Sequence, residues 1–374
     1  MNDSPLRVFH IVTHFDLGGA ERVALNIAES VSPGVECHLV EVVRAHSAYT
    51  PQFINEMREH GIYYHRAFVP QYSFHYLFER LAAVTFPLWF VFLFLRYRPR
   101  VIHCHTEVPD MAVYAFASLF PWLMRRCRLV RTIHNTRLWT GLTKTGQRIE
   151  RFMQQHHANV AISQSVRRAY GRRYGSEPEI IYNGVRAEKQ KAYEGLVAGK
   201  VNILFAGRLE QQKGIDVLVR TVKVLENDGR FFFHIFGSGR LETFVRERLS
   251  GCKNCRVRGP LFGLSHYLGS FDFLFMPSLH EGLSMLSMEA SMNGLPVVES
   301  GCEGLAETLP PGWPLESKAN ATEDYAECFA LPQEERSVLA EKARNFAEEH
   351  FTVARMGQCY EELYKSCLVN LNKD

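Results

Sequence analysis

Two acids, Glu281 and Glu289, stand eight residues apart in a run that is otherwise apolar or small, LHEGLSMLSMEASMNGLPVVE over 279–299. The preceding DFLFMPS reads as a buried strand ending at Pro277, and 279–283 as a loop with Gly282 at its centre. Ser284 is placed to cap a helix over about 285–293, with Gly294 as its left-handed C′ residue and Pro296 in the next strand. Glu281 therefore precedes the helix and Glu289 lies more than a turn inside it. At that separation they are not a general acid–base dyad; they address different parts of one elongated ligand. The helix start between them presents backbone N–H groups to anionic oxygens. A purely structural reading makes Glu281 part of a cap and Glu289 a solvated residue, but Leu286, Ala290 and their apolar neighbours leave little solvated face.

Other residues with chemistry follow apolar, strand-like runs. Gly18 and Gly19, in DLGGAERVA, let a backbone approach a ligand and open a helix whose N–H groups suit an anion, although a Gly-Gly turn is also simply a turn. Arg208 and Lys213, in AGRLEQQKGID, join a planar fork to a point charge, a combination that fits a diphosphate; the alternative is two solvated cations. Gly237 lies in FGSGRLE, a strand–turn–helix that either lines a nucleotide base or ribose or merely turns. His134 ends a strand in TIHNT, where it offers a donor or acceptor to sugar or phosphate, or bonds to backbone. His103 and His105 alternate on a strand and share a face; with no third ligand at matching spacing, packing and polar lining are preferred to a metal.

The elements that must position these residues are legible from the alternation of short apolar runs and longer helical patterns. LRVFHIV, PRVIHCHT, RLVRTIH and ANVAIS each precede a helical segment, the pattern of a parallel sheet covered on both faces. The pattern breaks at 183–200, NGVRAEKQKAYEGLVAGK, which is polar and reads as a linker. It resumes with VNILFAG, a helix expected over about 213–228, RFFFHIFG, another helix, CRVRG, DFLFMPS and LPVVES. A closing helix carries Met356, Tyr360, Leu363, Tyr364 and Cys367 at helical spacing. The expected architecture is α/β, two doubly wound Rossmann-like domains, with residues 1–190 and 200–350 as their bounds. Ligands of such sheets bind beyond the carboxyl ends of the strands, in a cleft between the domains. Neither half carries G-x-G-x-x-G, which disfavours a dinucleotide-dependent dehydrogenase.

Composition narrows the partners. With 43 basic against 40 acidic residues the net charge is +3, too balanced to argue for nucleic acid. Nine scattered cysteines, with one C-x-x-C at Cys252 and Cys255 and no matching second pair, fit reduced thiols better than a zinc site. The opening MNDSPLRVFHIV has no basic region followed by an apolar core, so the expectation is a cytoplasmic chain without a secretion signal, for which the sequons at Asn2 and Asn320 carry little meaning. The uncharged run from Leu81 to Leu95 is short for a span of about 20 residues and is interrupted by Pro87. It reads as a buried core helix, with a helix at a membrane surface as the second reading, since Arg80, Arg96, Arg98 and Arg100 flank it and suit anionic headgroups.

Taken together, HEGLSMLSME, GRLEQQKGID, LGGAERVALNIA, VIHCHT, TIHN, IYNGV and FGSG resemble, in order and spacing and over essentially the whole chain, the motifs of retaining GT-B glycosyltransferases, especially glycosyltransferase family 4. SGCEGLAETL stands where the family has a Gly-rich turn and then an acid, with Gly301, Gly304 and Glu307 in rough register. The resemblance implies two Rossmann-like domains facing across a cleft, with a donor site mainly in the second and the closing helix, 352–374, completing the first. It implies that Glu281 holds hydroxyls of the transferred sugar and Glu289 those of the ribose. Arg208 and Lys213 would neutralise the leaving diphosphate, helped by backbone N–H groups at Gly18–Gly19 and at Gly282, Leu283 and Ser284. His134 would lie near the reacting sugar and the base near Gly237 and Arg258. No metal and no cofactor beyond the nucleoside-diphosphate sugar, of UDP or GDP type, is implied. The expected activity is transfer of a hexose-type sugar with retention to an acceptor, sugar or lipid-linked, in polysaccharide or glycolipid synthesis, in the cytoplasm or peripherally at the inner face of its membrane. The alternatives are a nucleotide-sugar epimerase of the same fold and a non-catalytic nucleotide-sugar binding protein.

Overall fold

A computed structural model of the chain describes residues 5–16, 18–71 and 75–371. Leu17 of the first glycine turn, the sequon at Asn2 and the last residues of the expected closing helix, 372–374, lie outside the described residues. The chain divides into two compact units, Met1–Gly184 with Val353–Asp374, and Val185–Thr352.

The first unit is built on a parallel sheet of seven strands among the described residues: β1 (Leu6–Val12), β2 (Val35–Glu41), β3 (Tyr63–His65), β4 (Val101–His105), β5 (Arg128–Ile133), β6 (Asn159–Ala161) and β7 (Glu179–Ile180). Their order is β3-β2-β1-β4-β5-β6-β7, so the winding reverses between β1 and β4. The central strands are buried on both faces, as their near-continuous apolar sequences require. β1 pairs with β4 through Val8↔Val101 and His10↔His103, and β4 with β5 through His103↔Val130 and His105↔Thr132. The closing helix, Val353–Leu371, belongs to this unit and packs on the Gly19–Ser30 helix. A Cβ at Gly357 would stand 2.2 Å from Ser30 Oγ, so the helices reach this separation only with glycine there. Met356, Tyr360 and Tyr364 are buried beneath it.

β5 also carries a buried arginine. Arg131 ion-pairs with Asp110 at 2.7 Å and bonds Glu150 through both terminal nitrogens at 2.8 and 2.9 Å. Glu150 in turn accepts from Trp139 Nε1 and Tyr170 Oη, each at 2.6 Å. A fully buried guanidinium needs this complement of acceptors, because an unpaired buried charge is costly. Burial still pushes Asp110 up to about 7.

The run read as a core helix forms a longer helix, His75–Tyr97, that continues through Pro87. The proline removes one backbone donor, and Phe86 and Phe90, stacked 4.5 Å apart in the core, hold the helix on either side of it. The core reading accounts for one face only. Ala82, Ala83, Phe86, Phe90 and Phe94 are buried, with Phe90 and Phe94 against Phe116 at 4.9 and 5.4 Å. Leu81, Val84, Leu88, Phe92 and Leu95 form an opposite apolar stripe that is 49–70% exposed.

The second unit has five parallel strands, β8 (Val201–Ala206), β9 (Phe231–Phe236), β10 (Cys255–Arg258), β11 (Phe273–Met276) and β12 (Val297–Glu299), in the order β10-β9-β8-β11-β12. The winding reverses between β8 and β11. Phe233, Phe273 and Phe275 fill its core and pack edge-on against Phe329. The helix expected over 213–228 is shorter. Gln211–Lys213 is a 3₁₀ turn, Gly214 takes φ +68°, and the α-helix runs from Ile215 to Val224. The division between units falls at Gly184 rather than 190, and the polar stretch after it is laid along the second unit. Lys191 N donates to His266 O at 2.7 Å and Tyr193 N to Ser270 Oγ at 3.0 Å. Cys252 and Cys255 are half-buried thiols, with Cys255 pushed up to about 12 by burial.

Candidate active site

In the second unit the loops after β8 and β11 leave the sheet at the point where its winding reverses, the place where open α/β sheets leave room for a ligand. They are braced together. Gln212 Nε2 donates to His280 O at 3.1 Å, and Leu279 N donates to Gln212 O at 2.8 Å. A Cβ at Gly214 would stand 1.9 Å from Pro277 O, so glycine is required both for this approach and for the positive φ. The brace brings Lys213 Nζ to 2.5 Å from Glu281 Oε1, which also accepts from Ser278 Oγ at 2.8 Å. The carboxylate is buried and the ammonium half-buried. Among the described residues both bonds to the Glu281 side chain fall on Oε1, so Oε2 is open to a ligand's hydroxyl. Lys213 keeps further N–H donors for an anion.

The helix after this loop, Met285–Met292, starts as expected, with Ser284 as N-cap. Ser284 Oγ accepts from Ser287 N at 3.3 Å, so that N–H of the helix start is already used. Glu289 is half-buried on the same helix, one turn beyond Met285. The departing turn Ser300–Leu309 is tied to the loop: a Cβ at Gly304 would stand 2.3 Å from Glu281 O, and Ser300 Oγ donates to Ser278 O at 2.5 Å. Arg208 sits exposed on the β8 loop and, among the described residues, is not drawn into the Lys213–Glu281 pair. Gly237 has a packing duty, since a Cβ there would stand 2.0 Å from Gly207 O. Its N–H donates to Arg258 O at 3.1 Å, and Arg258 Nη1 donates to Tyr193 Oη at 2.5 Å. Gly237, just after β9, and Arg258, the last residue of β10, thus lie at the same end of adjoining strands.

In the first unit, Gly18 is the N-cap of the Gly19–Ser30 helix. The Glu21 carboxylate folds back over it, so that a Cβ at Gly18 would stand 2.0 Å from Glu21 Oε2, whereas a Cβ at Gly19 would meet nothing within 4 Å. At Gly18 the Glu21 carboxylate fills the space a side chain would take, and Gly19 is the position with open space. Burial holds Glu21 above its usual range, opposed by His14 at 3.8 Å.

His134 follows β5, half-buried, with Nε2 3.4 Å from His105 Nδ1. Burial, and then Arg131, hold it down to about 3, so it is neutral at physiological pH. The pair His103 and His105 gains a third imidazole that sequence spacing did not disclose. His10 enters from β1, and nitrogens of the three rings lie within 4.8 Å of one another. His103 already bonds Tyr364 Oη through Nδ1 and Thr132 Oγ1 through Nε2, both at 2.7 Å, which favours the polar-packing reading over a metal. Ser278 and His10 were both overlooked from sequence. Ser278 had a signal, three residues before Glu281 at a strand's end; His10 had only its place on the first strand.

Residues 17–189 match the family described as Glycosyltransferase Family 4, and residues 200–345 match Glycosyl transferases group 1. The chain belongs to the group 1 glycosyltransferases. A 41.2 kDa protein of the cps region of Klebsiella pneumoniae is 27% identical over 50% of this chain and 55% of its own. The amylovoran biosynthesis glycosyltransferase AmsK of Erwinia amylovora is 29% identical over 44% of this chain and 45% of its own. The chain thus spans about half the length of these curated relatives. The fold is that of HepE from Anabaena, solved with UDP and glucose: TM-score 0.77 at 18% identity, covering 96% of this chain and 100% of that one. The two doubly wound units are thus the GT-B architecture of glycosyltransferases.

Proposed function

We propose that this chain transfers a hexose-type sugar from a nucleoside-diphosphate sugar to an acceptor, with retention at the anomeric carbon. The observation that carries the reading is the Lys213–Glu281–Ser278 cluster at the winding reversal of the second sheet. It sets a cation beside a carboxylate that keeps one oxygen open, the pairing needed where a sugar adjoins a phosphate. Glu281 takes hydroxyls of the transferred sugar and Glu289 those of the ribose. Arg208 and Lys213 stabilise the leaving diphosphate, with backbone N–H groups at Gly19, Gly282, Leu283 and Ser284, and no metal is called on. The base lies towards Gly237 and Arg258. His134 contacts the sugar, and the leaving phosphate helps to deprotonate the acceptor, so no enzymic nucleophile is needed beside the anomeric carbon; this differs from glycoside hydrolysis, where two carboxylates flank the bond.

HepE, with UDP and glucose bound, supports a UDP-type donor. The cps-region and amylovoran relatives support an acceptor in polysaccharide synthesis, with the first unit recognising it. The exposed stripe Leu81, Val84, Leu88, Phe92 and Leu95, beside the exposed Arg80, Arg96, Arg98 and Arg100, supports peripheral contact with an anionic membrane and a lipid-linked acceptor. The place of action is then the cytoplasmic face of a membrane.

The test is UDP release from a panel of UDP-hexoses in the presence of a membrane lipid extract. One donor is expected to be consumed, and Glu281→Ala to slow its consumption by about 100-fold or more while still melting in one cooperative transition. Undiminished turnover by Glu281→Ala sinks the assignment. Formation of an epimeric UDP-sugar, seen by NMR, would replace transfer with epimerisation.

A further inference from the structure

His10 within β1, His105 at the end of β4 and His134 just after β5 form one hydrogen-bonded chain inside the first unit. His134 Nε2 lies 3.4 Å from His105 Nδ1, and His105 Nε2 lies 3.2 Å from His10 Nδ1. His10 and His105 are fully buried. At the inner end, His10 Nε2 is buried and, among the described residues, has no hydrogen-bonding partner. Burial holds all three rings neutral, with His10 and His134 both down to about 3 and His105 well below its usual value. His103 stands beside the chain but outside it, since Tyr364 and Thr132 occupy both its nitrogens.

A neutral imidazole has one N–H and one bare nitrogen. In a row linked through both nitrogens of the middle ring, fixing one end fixes every ring. In one order His134 Nε2–H donates to His105, His105 donates to His10, and the row ends on a buried His10 Nε2–H with nothing to accept it. In the other, His10 Nδ1–H donates to His105 Nε2, His105 Nδ1–H donates to His134 Nε2, and the row ends on a bare buried nitrogen. A buried N–H without an acceptor forfeits its hydrogen bond entirely, and folded proteins tolerate an under-used acceptor better than an orphaned donor. The second order is therefore favoured.

We propose that His10 and His105 are positioning residues that fix the tautomer of His134, so that its remaining nitrogen, Nδ1, is an N–H donor and not a base. Resting on the glycosyl-transfer reading, this assigns His134 a defined role. It donates a hydrogen bond to an oxygen of the bound sugar and does not take the acceptor's proton, which passes to the leaving phosphate.

Long-range ¹H–¹⁵N spectra of the full chain labelled with ¹⁵N-histidine read the tautomer directly, with His134 identified by the signals lost in His134→Asn. The expected result is a pyrrole-type Nδ1 and a pyridine-type Nε2 at His134. His10→Phe removes the innermost donor; His134 should then lose its single tautomer, and kcat should fall about tenfold with the donor KM unchanged. His10→Asn, whose amide donates from near the Nδ1 position, should restore both. A wild-type His134 protonated at Nε2 overturns the proposal, as does a His10→Phe protein with an unaltered His134 tautomer. Stoichiometric zinc uptake by His10, His103 and His105 also overturns it, because coordination breaks the row. Should His10→Phe fail to fold, the wild-type spectrum decides. That spectrum needs no substrate, so absence of sugar transfer would count against the proposed function and leave the hydrogen-bond order standing.

Discussion

Glu299, the last residue of β12, is fully buried, and among the described residues neither carboxylate oxygen has a hydrogen-bonding partner. Burial, and then the neighbouring Glu316, push it up to about 8. Below the unfolded value of about 4.5 both states hold the proton. Between there and about 8 the unfolded chain ionises first, so this residue's contribution to stability is lost as pH rises. Glu299→Gln removes the titration. Its melting temperature should gain on the wild type steadily from pH 5 to pH 8, and a pH-independent difference would contradict the assignment. The adjoining Ser300 bonds the carbonyl of Ser278, which holds Glu281, so this buried acid lies one step behind the candidate site. At this scale Glu281, Glu289, Ser284 and Lys213 were legible as types at strand ends and a helix start. Their pairing was not. Lys213 meets Glu281 across 68 residues of sequence and His10 meets His105 across 95, contacts that only the order of strands creates.

Elements were legible where their pattern was long. Near-continuous apolar runs marked the central strands of both sheets, because burial on both faces removes the polar alternation. The edge strands β3 and β7, three and two residues long, left no such pattern. The helix after β8 starts later than its pattern predicts because Gly214, with its positive φ, separates a 3₁₀ turn from the α-helix. The His75–Tyr97 helix shows what periodicity hides when both faces are apolar: composition alone could not divide a core face from an exposed one. That division makes a prediction. Leu88→Lys with Phe92→Lys, at positions 65% and 70% exposed, should change stability by no more than about 0.5 kcal/mol each yet reduce cosedimentation with anionic liposomes several-fold. Phe90→Ala, on the buried face, should cost about 3–5 kcal/mol. A wild-type chain that stays in the supernatant would remove the membrane reading.

At the scale of the whole molecule, two doubly wound units share one design, in which the loops at a winding reversal carry the residues with chemistry. In the first, Thr13 and Thr106, after β1 and β4, are joined at 2.8 Å. In the second, Lys213 and Glu281 follow β8 and β11. This organisation was legible because the alternation of strand and helix restarts after a polar stretch. The boundary was not, because Lys191 and Tyr193 are held by backbone contacts to the second unit that polarity does not reveal. The central claim is that the Lys213–Glu281 cluster receives a nucleoside-diphosphate sugar, and thermal melting of the full chain with UDP and UDP-hexoses tests it most directly. A ligand at 100 times its Kd stabilises by about 2.7 kcal/mol, enough to move a melting temperature by several degrees. UDP should raise the melting temperature of the wild type, a UDP-hexose should raise it further, Glu281→Ala should lose the increment due to the sugar, and Lys213→Ala should weaken both. A melting temperature that millimolar UDP and UDP-hexoses leave unmoved, or shifts that survive Lys213→Ala and Glu281→Ala intact, would contradict the account.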